Sequence, residues 1–435
     1  MEKRILIQTN FTENDPAYSL CNVVSDQIKM LIMHGYIANV TVADGFERTG
    51  IFEDEEHVKL RYIPRVACHN EVRKDESFDQ DVDALTEAFD DACKDIDVVL
   101  SHDLIYQPGS LKHNIACRRI AEKYPKILWY HWIHSATSPF TITQLRPIFQ
   151  DIYVDLISKK FPNSHPVFFN EFSRRRIAKN FGYEEQEVRI VHHPTDICGR
   201  MGMSELLEKF VTQNDILSKD IICVYPIRLD RGKQVEVMFK TLACLKEKGY
   251  TVAAIVVDFH SNSKNDQDDK YKYREELKNI AIDWKLGEGD YYFTSEQNQE
   301  WDLRINHASV QQLMTLSNVF IMPSVSESYS LVTQEASLFG KCIIVLNQDF
   351  PPFRDIFGSS AIFRQYSSRI NVLSGTDGST DTKYDQGEHV YHMETANIIS
   401  YHLENDYSLA MSTRLRKLRN LHTVFEKEIE PLFFA

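Results

Sequence analysis

Apolar runs of strand length alternate with longer amphipathic segments along the first half of the chain. The runs are RILIQTNF, IANVTVAD, VKLRYIP, IDVVLSHD, KILWYHWIH and HPVFFN, and helical periodicity separates them. Strands that alternate with helices are typical of a parallel, doubly wound sheet. Such sheets bind ligands beyond the carboxyl ends of their strands, so the polar residues that follow each apolar run are the candidates for chemistry.

A second cycle of the same kind begins after a short helical connector at residues 204–210. It contains the runs IICVYPIRL, TVAAIVVDF, YYFTS, NVFIMPS and CIIVLN, with helices predicted at 235–248 and 273–284. The polar stretches 261–272 and 367–389 are predicted as loops. We therefore expect two Rossmann-like domains, residues 1–197 and residues 198–411. A C-terminal helix at about 412–435 is expected to pack back on the first domain.

Composition and charge narrow the functional classes. Hydrophobic residues make up 43% and charged residues 26% of the 435, as in soluble globular proteins. No apolar stretch reaches the length of a membrane span, and the eight cysteines are scattered singly, so we expect a cytoplasmic protein with reduced thiols and no membrane span. The net charge of −14 disfavours, without excluding, a polyanionic partner.

The most informative motif follows the apolar run that ends at Met322. Two carboxylates, Glu327 and Glu335, bracket a predicted turn from strand to helix. The backbone N–H groups of Ser328, Tyr329, Ser330 and Leu331 then lie at a helix start, where they can receive phosphate or sugar oxygens. Carboxylates in this position suit vicinal hydroxyl groups.

The pattern P-S-x-x-E-S-x-x-x-x-x-x-E-A resembles the E-x7-E signature of retaining GT4 glycosyltransferases. The resemblance implies a GT-B fold, in which two Rossmann-like domains face each other across a cleft. It also implies that Glu327 contacts the donor sugar as a catalytic residue and that Glu335 contacts the ribose of the nucleotide.

Two cations after another strand support this resemblance. The segment Y-P-I-R-L-D-R-G-K resembles the family's G-R-x-x-x-x-K-G segment, in which Arg and Lys bind the donor diphosphate, and the matching residues are Arg228 and Lys233. Pro226 replaces the usual glycine, and Gly232 precedes rather than follows the lysine. Fixed cations stabilise the charge of a departing diphosphate, so no metal and no cofactor beyond the nucleoside diphosphate sugar, UDP or GDP, is required.

The first domain supplies candidates at the ends of its strands. The family often places a histidine near the transferred sugar, and His134 matches it, with His131 as the rival. His102 and Asp103 fit a cleft wall. A first loop without the usual glycines offers Asn14, Asp15 and the N–H group of Ala17 as further contacts for the acceptor or the cleft.

The implied reaction is glycosyl transfer to an acceptor hydroxyl with retention. The acceptor is a sugar, a small molecule or modified DNA. Modified DNA is included because the opening N-F-x-E-N-D-P-A-Y resembles that of tailed-phage proteins, some of whose relatives act on hydroxymethylated bases such as 5-hydroxymethylcytosine. Phosphate contacts would then come from the basic runs at 174–176 and 414–419. The alternative is a nucleotide-sugar binder without transferase activity, or an epimerase.

Overall fold

The computed structural model describes residues 3–66, 77–134, 153–259, 264–301, 305–324, 327, 329–348, 351–366 and 386–434. Contacts between residues divide the chain into two compact units. Unit 1 is Met1–Asp196 with Leu421–Ala435, and unit 2 is Ile197–Asn420. The segment 412–435 is split between them, since the helix Tyr407–Arg419 belongs to unit 2 and the helix Leu421–Val424 belongs to unit 1.

The strands and helices of the described residues follow the alternation seen in the sequence. The strands are β1 (Ile5–Gln8), β2 (Ala38–Ala43), β3 (Val58–Ile63), β4 (Val98–His102), β5 (Leu128–Trp132), β6 (Ser164–Phe168), β7 (Arg189–Ile190), β8 (Ile221–Arg228), β9 (Val252–Phe259), β10 (Tyr291–Phe293), β11 (Val319–Met322), β12 (Ile343–Asn347) and β13 (Ile362–Arg364). The helices are α1 (Ser19–Met33), α2 (Phe78–Cys93), α3 (Leu111–Lys123), α4 (Tyr153–Ile157), α5 (Arg174–Phe181), α6 (Ile197–Arg200), α7 (Glu205–Gln213), α8 (Val235–Glu247), α9 (Lys264–Asp283), α10 (His307–Leu316), α11 (Leu331–Phe339), α12 (Pro351–Phe357), α13 (Gln386–Asn405), α14 (Tyr407–Arg419) and α15 (Leu421–Val424).

Unit 1 is built on a parallel sheet of seven strands in the order β3-β2-β1-β4-β5-β6-β7. Neighbouring residues of a strand face opposite sides of the sheet. In β1, Leu6 packs into the core that contains α2 and α3, while Ile5 and Ile7 pack into the core beneath α1. Burial on both faces explains why these strands are continuous apolar runs instead of alternating ones.

The C-terminal segment completes the second of these cores. Phe425 and Phe433 are buried beside Tyr36 of the same unit, with ring centroids 5.8 and 5.7 Å from it. The hydroxyl of Tyr130 donates a hydrogen bond to the carbonyl oxygen of Leu432 at 2.6 Å. The last helical turns of the chain are therefore part of the hydrophobic core of unit 1.

Unit 2 contains two parallel sheets of three strands, β10-β9-β8 and β11-β12-β13. They adjoin at β8 and β11, where Asn318 donates its backbone N–H to Ile222 and accepts one in return through its side-chain oxygen, at 3.1 and 2.9 Å. Read across this junction, the strand order repeats that of unit 1. Both units show the Rossmann order, and the predicted α/β class with two doubly wound domains is confirmed.

Two predicted boundaries are wrong. The predicted loop 367–389 ends earlier than expected, since helix α13 begins at Gln386. Helix α9 begins at Lys264, whereas the apolar spacing predicted a loop up to residue 272 and a helix only from Tyr273. The cause is the polar first turns of the helix, which carry no apolar periodicity.

Candidate functional site

The first part of the site in unit 2 is the turn that follows β8. Seven of the eight residues of this strand are buried, and its last residue, Arg228, is exposed. The Arg228 guanidinium donates from Nε to Asp230 at 2.6 Å. Lys233 lies at the end of the next short turn, and the buried hydroxyl of Tyr225 donates to its carbonyl oxygen at 3.1 Å. The backbone at Lys233 is therefore fixed to the strand before it.

The second part is the loop that follows β11. The buried Asn347 donates from Nδ2 to the carbonyl oxygens of Pro323 and Ser324, at 3.4 and 3.3 Å. The Ser324 hydroxyl in turn donates to the carbonyl oxygen of Gly232 at 3.4 Å. These bonds hold the loop after β11 against the turn after β8.

The two loops bring Lys233 and Glu327 together. The Lys233 ammonium forms an ion pair with the Glu327 carboxylate, although the two residues lie 94 positions apart. Their side chains are only 21% and 15% exposed, so the pair is sheltered from water. Since β8 and β11 stand where β1 and β4 stand in the order of unit 1, the pair lies at the topological switch point of unit 2, where open α/β sheets bind ligands.

Glu335 lies on α11, eight positions after Glu327. Its carboxylate contacts His307 Nε2 at 3.1 Å, and His307 is the first residue of α10. Sequence reasoning missed His307, since no local pattern connects it with α11. Glu335 therefore meets an imidazole, and the structure records a different partner for each of the two motif carboxylates.

The residues at the start of α11 differ in their exposure to solvent. Tyr329 and Leu331 are exposed, whereas Ser330 is buried and its hydroxyl lies 2.8 Å from that of Thr333. Ser328 lies outside the described residues. The first N–H groups of a helix have no partner within it, so those of Ser330 and Leu331 stand at the end of α11 that attracts anions.

Strained backbone marks these loops. Gln234, directly after Lys233, and Ser330 have φ of 50° and 57°, in the left-handed region that non-glycine residues rarely adopt. Gln234 is also fully buried, and its side-chain amide has no hydrogen-bond partner within the described part of the chain. Such conformations cost about 1 to 3 kcal/mol each and cluster at ligand sites, which supports a functional interpretation of both loops.

A second cluster lies in unit 1, at the carboxyl ends of β4 and β5. His102 Nδ1 is 3.1 Å from His134 Nε2, and His102 Nε2 is 2.8 Å from Gln27 Oε1. Asp103 has a left-handed backbone (φ 58°) and accepts the backbone N–H of His134 at 2.9 Å. The predicted residues His102, Asp103 and His134 are thus brought together at the switch point of unit 1.

The rival histidine has a different environment. His131 is buried between Trp129 and Phe161, with ring centroids 6.0 and 4.6 Å away, and its Nδ1 contacts the Ser101 hydroxyl. Burial lowers the pKa of His131 well below its usual range. His131 is therefore a neutral core residue, while His134 is partly exposed at the strand end.

A further histidine, His193, completes the cluster of unit 1. Its ring is stacked on that of His134, with centroids 5.3 Å apart and planes inclined by 4°. Burial, and after it the neighbouring histidines, lower the pKa of His193 to about 4. Burial likewise lowers the pKa of His134, with the Asp103 carboxylate acting in the opposite direction. The three histidine rings are therefore uncharged at neutral pH, and their polar contacts depend on which ring nitrogens carry protons.

The first loop is close to this cluster, because both burial and the Asp103 carboxylate raise the pKa of the Tyr18 hydroxyl. The other candidates here are engaged locally. Asn14 donates from Nδ2 to the carbonyl oxygen of Thr49 at 3.1 Å, and the N–H of Ala17 donates to Asp15 Oδ1 at 2.8 Å. The N–H of Ala17 is thus already satisfied by the turn that it closes.

The C-terminal basic run is not an open strip of cations. The partly buried Arg416 guanidinium donates to the carbonyl oxygen of Leu217 at 2.8 Å, and Lys417 forms an ion pair with Asp220. Burial lowers the pKa of Arg416 to about 10. Of these three residues, only Arg414 is exposed.

The basic run of α5 is partly engaged as well. Arg174 forms an ion pair with Glu171 at 2.7 Å, and Arg176 donates to the Ser173 hydroxyl at 3.1 Å. Arg175 is exposed on the same helix. Neither run therefore forms a continuous surface of unpaired cations in the described structure.

The described residues contain neither a cluster of metal-binding side chains nor a membrane-spanning helix. No group of three or more His, Cys, Asp or Glu side chains among them is arranged to hold a metal ion. No described helix is long and apolar enough to cross a membrane. The seven cysteines that the structure describes are free thiols.

Several solved structures are similar to the chain at low identity. A glycosyltransferase from Rickettsia africae ESF-5 is 12% identical with a TM-score of 0.36, and the match covers 99% of this chain and 98% of that one. HepE from Anabaena, in complex with UDP and glucose, is 14% identical with a TM-score of 0.35 and 99% coverage of both chains. An E. coli structure described as trehalose-6-phosphate bound with UDP-2-fluoro glucose is 13% identical with a TM-score of 0.35 and the same coverage.

The similarity that can be detected from sequence alone is confined to part of the chain. No curated protein matches the chain. Residues 208–361 match the family model described as glycosyl transferases group 1. The matched segment lies within unit 2 and includes Arg228, Lys233, Glu327 and Glu335. The similarity to glycosyl transferases group 1 therefore falls entirely within unit 2.

Proposed function

We propose that this chain is a retaining glycosyltransferase of the GT-B type that moves a sugar from UDP-sugar or GDP-sugar to an acceptor hydroxyl. The observation that carries the proposal is the sheltered ion pair between Lys233 and Glu327. It joins the loops after β8 and β11 at the switch point of unit 2, inside the segment that matches glycosyl transferases group 1. A cation and a carboxylate side by side suit a ligand that carries phosphate next to hydroxyl groups.

The cations have the role of diphosphate ligands in this proposal. Lys233 is fixed by the bond from Tyr225 and lies mostly within the protein, while Arg228 extends from the strand end with a side chain 66% exposed. As the glycosidic bond breaks, the diphosphate gains negative charge. Fixed cations therefore stabilise the transition state more than the ground state, and the proposed transfer needs no metal or cofactor.

The carboxylates position the donor. Glu327, beside Lys233, accepts hydrogen bonds from hydroxyls of the transferred sugar, and Glu335 accepts them from the ribose. The N–H groups of Ser330 and Leu331 at the start of α11 add neutral donors for phosphate oxygens. Neither carboxylate needs to attack the sugar, since a diphosphate that departs on the same face can itself assist the incoming hydroxyl.

His134 of unit 1 is assigned to a hydroxyl of the reacting sugars. The His134 imidazole is neutral and partly exposed at the end of a strand, which suits a hydrogen bond to a hydroxyl. We propose a sugar or another small hydroxyl compound as the acceptor. The engagement of Arg174, Arg416 and Lys417 by neighbouring groups gives no support to a DNA acceptor.

A thermal-shift screen tests the donor first. We expect UDP or GDP, with the matching sugar nucleotide, to raise the melting temperature, because a ligand that binds only the folded state stabilises it. Lys233→Met is expected to remove that shift. A wild-type protein that no nucleoside diphosphate stabilises would contradict the proposal.

A transfer assay then separates the alternatives. The stabilising sugar nucleotide is incubated with candidate hydroxyl acceptors, including DNA that contains 5-hydroxymethylcytosine, and release of nucleoside diphosphate is measured. Retained anomeric configuration in the product supports the proposal. Tight donor binding without turnover on any acceptor would indicate a binding protein, and isomerised donor would indicate an epimerase.

A further inference from the structure

Two buried side chains of unit 1, Gln27 and His102, form a chain of hydrogen bonds that ends at the partly exposed ring of His134. Gln27 of α1 and His102 of β4 are 1% and 2% exposed. Gln27 Oε1 lies 2.8 Å from His102 Nε2, and His102 Nδ1 lies 3.1 Å from His134 Nε2. Both ring nitrogens of His102 are therefore committed to partners, and only His134 remains available to a ligand.

The chemistry of these atoms fixes where the protons are. A side-chain amide oxygen can only accept a hydrogen bond, so His102 Nε2 carries a proton and donates it to Gln27. A neutral imidazole has one N–H, so His102 Nδ1 is an acceptor. His134 Nε2 must then be the donor to His102, and the single proton of a neutral His134 is on Nε2.

Both rings are neutral near pH 7. Burial lowers the pKa of His102 well below its usual range, and the rings of His134 and His193 add to the effect. Burial also lowers the pKa of His134, against the opposing charge of Asp103. The neighbouring titratable groups are His193, stacked on His134, and Tyr18, whose hydroxyl is influenced by Asp103.

We infer that Gln27 and His102 are positioning residues that hold His134 in the tautomer with its proton on Nε2, so that Nδ1 is presented to the substrate as a hydrogen-bond acceptor. The inference rests on the proposed function for the identity of the substrate. A lone pair at Nδ1 receives an O–H group and repels phosphate or carboxylate oxygens. His134 is thereby specific for a hydroxyl of the donor or acceptor sugar, and not for the diphosphate.

The neighbouring ring of His193 supports the same specificity. His193 Nδ1 is buried and has no hydrogen-bond partner within the described residues, and its ring lies parallel to that of His134. Because its pKa is about 4, His193 adds no positive charge near neutral pH. The described histidine rings at the exposed end of the cluster therefore offer no positive charge to a phosphate near neutral pH.

The test is the tautomer itself, measured in the ligand-free protein. Long-range ¹H–¹⁵N NMR correlations of ¹⁵N-histidine-labelled chain distinguish a protonated from an unprotonated ring nitrogen, and His134→Asn assigns the resonances. At pH 7.5 we expect His134 Nδ1 to appear unprotonated and Nε2 protonated in the wild type. The reverse pattern in the wild type overturns the inference, because it would mean that Gln27 presents its N–H groups to His102.

Two variants test the positioning role. Gln27→Leu removes the acceptor and is expected to raise the population of the other His134 tautomer about two- to tenfold, the factor that one neutral hydrogen bond contributes. Gln8→Leu is the matched control. It removes another buried amide of the same unit, at the end of β1, whose Nε2 donates to Cys117 Sγ, and is expected to leave the His134 tautomer unchanged.

The outcomes are separable from those of the proposed function. An unchanged His134 tautomer in a folded Gln27→Leu protein, or an equal change in Gln8→Leu, would overturn the positioning role. If Gln27→Leu does not fold, the wild-type spectrum alone decides the tautomer. No sugar nucleotide is present in these measurements, so failure of donor binding leaves their result intact.

Discussion

Replacing Lys233 by methionine tests the donor site at its most sheltered contact. Methionine keeps the length of the side chain and removes the charge. In the ligand-free protein the ammonium is paired with Glu327, and both side chains are more than three-quarters buried. The variant therefore removes a diphosphate ligand and leaves a sheltered carboxylate without its cation.

The size of the expected loss in affinity depends on the exchange of Glu327 for the diphosphate as the partner of Lys233. An ammonium and a phosphate oxygen about 4 Å apart attract each other by about 4 kcal/mol at an effective dielectric constant near 20. Lys233 already interacts with Glu327 before the ligand arrives, so only part of that attraction is gained on binding. A net charge-assisted hydrogen bond of about 1.5 to 3 kcal/mol corresponds to a roughly 10- to 150-fold weaker affinity for the nucleoside diphosphate.

Replacing Glu327, the partner of Lys233, should have the opposite effect on the affinity for the nucleoside diphosphate. Glu327→Gln removes the carboxylate that competes with the diphosphate for Lys233, so the affinity for UDP or GDP should stay equal or increase. The rate of transfer from the sugar nucleotide should nevertheless fall at least roughly tenfold, since a carboxylate acceptor for the sugar hydroxyls is lost. Opposite effects on the same pair distinguish exchange of partners from general damage to the loop.

Titration calorimetry with the stabilising nucleoside diphosphate measures these affinities. Lys246→Met is the matched control, because Lys246 lies on α8 of the same unit and pairs with Asp290 at 2.5 Å. Equal affinity in Lys233→Met and wild type would refute the reasoning. So would an equal loss in Lys246→Met, which would indicate that any lost lysine has this effect.

Three further predictions concern stability. His113 is buried, and its pKa is lowered to about 4 chiefly by burial, so the unfolded chain binds its proton first as pH falls. The free energy of unfolding should therefore decline by about 3 kcal/mol between pH 6.5 and 4. Denaturant titrations at both pH values should show a smaller decline for the His113→Leu variant. Asn347→Leu should lower the free energy of unfolding by about 1 to 3 kcal/mol and weaken nucleotide binding, because the hydrogen bonds to the loop after β11 are lost. Unchanged nucleotide binding in calorimetry would contradict this prediction. Arg416→Met should lower the melting temperature, whereas Arg414→Met should not, since Arg416 is partly buried and donates to a backbone carbonyl oxygen while Arg414 is exposed; equal melting temperatures would contradict this.

The sequence was sufficient to predict the architecture because the physics of a buried parallel strand is local. Runs such as Ile221–Arg228 are apolar on both faces, and their spacing alone indicates alternation with helices. The meeting of Lys233 and Glu327 could also be anticipated, since both follow strands that end at the same edge of a sheet. The first turns of α9 could not, because their polar residues carry no apolar period.

The histidine cluster shows where sequence reasoning ends. His102 and His134 follow strands and could be selected as candidates, but the contact from Gln27 crosses 75 positions and comes from the buried face of a helix. A glutamine on that face has no pattern that predicts its partner. The tautomer of His134 depends on this distant amide, so a property of the candidate site is set by a residue outside every motif.

The two cations of unit 2 should differ in what they contribute. Arg228 pairs with Asp230 only two positions away, and its side chain is 66% exposed. Exposed ion pairs contribute little to stability, so Arg228→Ala should weaken nucleotide binding without changing the melting temperature. Lys233 joins two loops through a sheltered pair, so Lys233→Met should lower both the affinity and the melting temperature. If both variants lowered the melting temperature equally, Arg228 would have to be a structural residue as well, and its assignment as a ligand of the diphosphate would lose its basis.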